Sequence, residues 1–145
     1  MPEDQDKLYP DLGKLTPEML TKASKLRLSA LLRDNFTCQV SREYKETAKL
    51  TLAMIVPRAS GGTRSLTNVY TVEQKRHKAA AGQESPFSDN DVALLSSVTN
   101  EWRHRYPSMQ TILDEYVRLI REGHRLARIF YFRAFNEANQ QKDAS

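Results

Sequence analysis

SMQTILDEYVRLIREGHRLARIFYFRAFNEA, residues Ser108 to Ala138, is the stretch whose reading decides the fold. Each helical residue turns the chain by about 100°, and Met109, Ile112, Leu113, Tyr116, Leu119 and Ile120 recur at three- and four-residue steps. Gly123, Ala127, Phe130 and Ala134 continue that series. Arg118, Arg121, Arg125 and Arg128 keep helical phase on the opposite side, within roughly 80° of one another. The spacing predicts one continuous helix over about 108–138, with an apolar face and an arginine face. Past Leu126, the residues Ile129, Phe130, Tyr131, Phe132 and Phe135 leave little polar surface except Arg128 and Arg133. A helix end that is apolar all round is either central to its core or a docking surface.

Upstream of this segment, Tyr106-Pro107-Ser108 closes one helix and caps the next. The closed helix opens at Ser88-Asp89-Asn90-Asp91 and carries Val92, Leu95, Val98 and Trp102 inward over 88–104. An antiparallel hairpin of 88–104 with 108–138 follows. Near the N-terminus, Thr16-Pro17-Glu18 offers a cap, a proline at the first helical position and a first-turn acid, predicting a helix to about Arg33.

Residues 42–56 admit two readings. Ser41 can cap a helix placing Tyr44, Ala48, Leu52 and Ile55 on one face, whereas Leu50, Leu52, Met54 and Val56 alternate as in a strand. The helix formers in Arg42–Lys49, and the lack of a convincing partner strand, favour helix. Thr71-Val72-Glu73-Gln74 has capping-box spacing and predicts a short helix ending at Gly82. Pro57–Asn68 (PRASGGTRSLTN) is the main break, within a mobile loop over 57–70, and Gln83–Phe87 is a second loop. The expected architecture is all-α: a single small bundle of four to five helices over 16–138, with a flexible leader at 1–15 and a flexible tail at 139–145.

At 145 residues the chain is the size of one ordinary domain, and a net charge of +4 makes nucleic acid or an acidic protein surface conceivable partners without demanding either. The single cysteine, Cys38, excludes an internal disulfide framework and a CxxC metal site. The start MPEDQDK is acidic where a signal peptide would be basic and then apolar, and no apolar run is long enough for a membrane span, so an intracellular location is expected.

Catalytic chemistry finds no foothold in the pattern. His77, His104 and His124 lack the spacing of a helical zinc site, no two carboxylates share a predicted buried face, and Gly61-Gly62 lacks a phosphate-loop continuation. The expectation is a non-enzymatic protein with no cofactor, no metal and no evident small-molecule substrate. Its function would be that of a helical interaction or assembly module, binding a protein partner or itself. Phe130, Tyr131, Phe132 and Phe135 are the candidate apolar anchors, with Arg125 and Arg128 as flanking ionic contacts. The alternative is phosphate contact with nucleic acid through Arg118, Arg121, Arg125 and Arg128, helped by Lys75, Arg76 and Lys78. Two plainer readings stand beside these: an arginine face paired with the protein's own acids, and aromatic rings sheathed in the core.

Overall fold

The computed structural model describes residues 12–42, 49–75 and 87–144, with side chains to residue 140. Among the described residues, the chain forms four α-helices and a two-stranded antiparallel sheet, so the fold is mixed and the all-α expectation is overturned. The helices are α1 (Lys22–Arg33), α2 (Asp89–Arg105), α3 (Met109–Arg121) and α4 (Arg125–Ala144), and the strands are β1 (Leu50–Met54) and β2 (Val69–Glu73). The chain divides into two compact units, one taking residues up to Leu28 and from Tyr106 onward, the other Ser29–Arg105.

In the Ser29–Arg105 unit, residues 50–54 and 69–73 form the sheet where helices were expected over 42–56 and from Thr71, with Leu50 opposite Glu73 and Met54 opposite Val69, and Gln74 and Lys75 are helical. All five β2 residues are buried. A strand buried on both faces shows no alternation to read, and Val69-Tyr70-Thr71-Val72 consists of β-branched and aromatic strand formers. Thr71, read as a helix cap, is a strand residue whose amide donates to Asp34 Oδ2 at 3.0 Å. Residues 43–48 and 76–82 of those two expected helices lie outside the described residues.

Two strands alone are marginal in water. Here they are tied in by Arg33, whose side chain is fully buried. Its guanidinium grips both oxygens of Asp34 at 2.8 and 3.0 Å and donates to the carbonyls of Leu66 and Val69 and to Thr99 Oγ1. One side chain thus joins α1, the turn before β2, β2 itself and α2. A buried charge is tolerable only when paired and hydrogen-bonded in this way.

The loop expected to be mobile contains two 3-10 turns, Arg58–Ser60 and Leu66–Asn68. The Asn68 amide staples it, accepting from the Val56 amide at 3.0 Å and donating to the carbonyls of Val56 at 3.1 Å and Thr63 at 2.7 Å. Gly61 sits at φ +89°, and a β-carbon on Gly62 would land on the Val56 carbonyl.

The other unit shows a second correction. The continuous helix over 108–138 is two helices, broken at Glu122-Gly123-His124. Gly123 takes φ +88°, His124 N–H bonds the Leu119 carbonyl and Gly123 N–H the Ile120 carbonyl, each at 2.9 Å. These are the two crossed bonds of a glycine-terminated helix end. His124 then starts α4, its Nδ1 accepting from the Ala127 amide at 3.1 Å. The expected partner of the long helix, 88–104, belongs to the other unit, and within its own unit α3 packs against α4. Helix α4 continues to Ala144, through the segment read as a tail.

Ser108 caps α3 as expected, accepting from the Thr111 amide at 3.3 Å. By contrast, Thr16-Pro17-Glu18 starts only a 3-10 turn, and Thr21 begins α1 by accepting from the Ser24 amide at 3.0 Å. Two phenols lock the unit. Tyr116, fully buried, donates to the Leu28 carbonyl at 2.8 Å, and Tyr131 accepts from the amides of Gly13 at 3.1 Å and Leu15 at 3.4 Å. The end of the expected leader is therefore fastened down: Leu15 is buried. Residues 1–11 lie outside the described residues.

Candidate functional site

The break at Gly123 splits the predicted arginine stripe between two helices, Arg118 and Arg121 on α3, Arg125 and Arg128 on α4. Arg118 is exposed but occupied: its Nε bonds Glu115 Oε1 at 3.0 Å, its Nη2 reaches the same oxygen, and its Nη1 meets Glu122 at 2.8 Å. The Glu115 bond, reinforced by Glu122, holds the guanidinium pKa above its ordinary value. Arg121 is exposed, Arg125 is exposed, and Arg128 is half-buried. Lys75 is exposed just past β2, while Arg76 and Lys78 lie outside the described residues.

The aromatic end separates into two sets. Phe130 and Tyr131 are core side chains, 4% and 0% exposed, so neither can serve as an anchor on the surface of this chain. Phe132 and Phe135 are part-exposed, and the Phe132 ring meets Tyr131 edge-on with centroids 5.3 Å apart. Leu126, Ala127, Phe130, Tyr131, Ala134 and Ala138 define the buried side of α4.

The opposite side carries Arg125, Ile129, Phe132 and Asn136 at steps of four, three and four residues, which places them in one row. Ile129 is 43% exposed, a large value for a β-branched apolar residue. Arg128 and Arg133 flank the row, with Arg133 Nε 3.3 Å from Glu137 Oε1. Glu137 faces α1, accepting from Ser24 Oγ at 2.7 Å and pairing with Arg27 at 3.2 Å. Burial raises the Glu137 carboxyl pKa, but the Ser24 hydrogen bond and the Arg27 charge outweigh this and hold it below the usual range. Arg125 has no carboxylate within ion-pair distance among the described residues.

Sequence reasoning missed Ile129 as a surface residue because an unbroken helix puts Phe130 to Phe132 and Ile129 in one undivided apolar cluster. The signal that resolves it is Glu122-Gly123-His124, a helix stop followed by a new start, which resets the phase of everything downstream.

Among the described residues no helix is long and apolar enough to cross a membrane, and no group of three or more His, Cys, Asp or Glu side chains comes together. The chain matches no protein-family model, no curated protein and no solved structure.

Proposed function

We propose that this chain is a non-enzymatic interaction module that binds a protein partner through the outer row of α4. The observation that supports this reading is Ile129, 43% exposed and in line with the part-exposed Phe132 between Arg125, Arg128 and Arg133. Apolar residues framed by arginine are the composition that dominates interface energetics. The row repeats every seven residues, from Arg125 to Phe132 and from Ile129 to Asn136, which suits a partner helix laid alongside. The complementary surface is apolar with flanking carboxylates. Self-association about a two-fold axis is disfavoured, because it would bring the arginines of both copies together.

The test places a photocrosslinking residue at position 136, at the end of the row, identifies the captured protein, and then measures its affinity with purified components. Ile129→Ala with Phe132→Ala should weaken that complex by two orders of magnitude or more, at about 1–2 kcal/mol per anchor, while helical content stays the same. Arg125→Glu should weaken it too, with partial recovery by an Asp→Lys change on the partner. Unchanged affinity in the double variant overturns the proposal. Tight binding of labelled RNA or DNA that weakens steeply with salt would replace it by nucleic-acid binding.

A further inference from the structure

The Ser29–Arg105 unit contains a cleft of about 290 Å³ that has no part in the α4 row. One wall is apolar: Tyr70 and Phe87, in edge-on contact at 4.5 Å, with Leu94, Leu95 and Val98 of α2. Leu94 is 63% exposed and Val98 40%, so α2 leaves much of this apolar face open at the cleft. The rim opposite is polar and comes from the loop after α1. There Asn35 and Arg42 both line the cleft, and both have left-handed backbone, φ +53° and +60°. Phe36, between them, takes φ +54° with its ring buried. Left-handed residues other than glycine cost of order 1–3 kcal/mol each and gather where a loop is held in a working shape.

The charges around the cleft, Asp34 and Arg42 on the loop side and Asp91 on α2, differ in how far they are committed. Asp34 is saturated by Arg33 and the Thr71 amide. Arg42 is held by a neutral relay: its Nη1 donates to Gln39 Oε1 at 2.8 Å, and Gln39 Nε2 donates to the Thr37 carbonyl at 3.0 Å. The guanidinium is thereby oriented, with no further hydrogen-bond partner for its other donors among the described residues, and its charge acts on Asp91. Asp91 gives one oxygen to the amide and hydroxyl of Ser88, at 2.9 and 3.0 Å, and keeps the other. Those Ser88 bonds keep its carboxyl below the ordinary carboxylate range, so it is charged at neutral pH. One oriented cation, one anion and an aromatic-aliphatic wall therefore border a space large enough for a single small molecule.

We infer that this cleft binds a small apolar molecule carrying both a carboxylate and an amine, the chemistry of a free apolar amino acid, with Arg42 taking the carboxylate, Asp91 the ammonium and the Tyr70–Phe87–Leu95 wall the side chain. An ion of either sign alone would meet a like charge at the cleft as well as its partner. A zwitterion can pair with both.

The experiment is a titration of the isotope-labelled full chain by amide chemical shift, with L-phenylalanine, 3-phenylpropionate and phenethylamine as probes. L-Phenylalanine should give saturable shifts confined to residues 34–42, 70 and 87–98. Loss of either charged group from the probe should weaken binding about tenfold or more. Arg42→Gln should abolish the preference for L-phenylalanine over phenethylamine, and Asp91→Asn the preference over 3-phenylpropionate, with helical content preserved in both. No saturable shifts up to about 10 mM L-phenylalanine, at the weak end of measurable affinity, overturn the inference. Equal binding of all three probes overturns it as well, by reducing the cleft to a greasy surface.

Discussion

The two units fix their interiors with opposite chemistry. The Ser29–Arg105 unit places a full charge at its centre and surrounds Arg33 with five acceptor atoms on four segments. The unit built from α3, α4 and the first part of α1 keeps charge toward its margin, at Glu137, and fixes its interior with the neutral phenols of Tyr116 and Tyr131. A helical unit satisfies its own backbone and needs only occasional ties. A short sheet leaves carbonyls at its ends, and a buried guanidinium can collect several of them at once.

That contrast can be broken most decisively at Arg33. Arg33→Met should cost about 3–5 kcal/mol, because Asp34 and two carbonyls lose their donor, and amide exchange over 66–73 should accelerate far more than exchange in α3. A small, uniform loss across both units would show that the ion pair is not the centre of its unit. Next in size, Gly123→Ala should cost roughly 1–2 kcal/mol: the space around its β-carbon is open, but the left-handed backbone is not open to alanine. Tyr116→Phe should follow at about 1 kcal/mol, read from urea midpoints, since the Leu28 carbonyl loses a buried donor.

Smaller still is a pH effect at the start of α4. Burial lowers the His124 pKa, and its Nδ1 must be unprotonated to accept the Ala127 amide. Because the folded value lies below the unfolded one, this contribution is complete above about pH 6.5 and is lost as pH falls through that value toward the folded pKa. Thermal stability should decline between pH 7 and pH 5 more in the parent than in His124→Asn, which keeps a capping side chain but does not titrate there. The least effect belongs to Arg118→Gln, whose exposed bonds to Glu115 and Glu122 should leave the urea midpoint unmoved.

What was legible in the sequence follows from how local each signal is. Ser108 and Ser88 announce helix starts because a cap acts over three residues, and both helices begin there. The apolar face of α3, with Ile112, Leu113, Tyr116 and Ile120 buried, is legible for the same reason. The sheet was hidden because β2, buried on both faces, mimics a capping box at Thr71 and lacks the alternation that would have advertised it as a partner for Leu50–Met54. The candidate site was half visible. Phe132, Arg125 and Arg128 were named, but Ile129 emerged only once Gly123 had reset the helical phase. The cleft rim was invisible, since nothing in Asn35, Phe36 and Arg42 as letters implies three left-handed residues in one loop.

The doublet Gly61-Gly62 carries a last consequence. Written out, two glycines amid serine and threonine suggest slack that tolerates any insertion or exchange. Saturation mutagenesis should show the reverse: position 59 accepting nearly everything, position 61 favouring glycine and asparagine, and position 62 rejecting every side chain because a neighbouring backbone oxygen already fills that volume. An outward-facing turn would then score among the least permissive sites in the chain, and a tag or fusion junction belongs elsewhere.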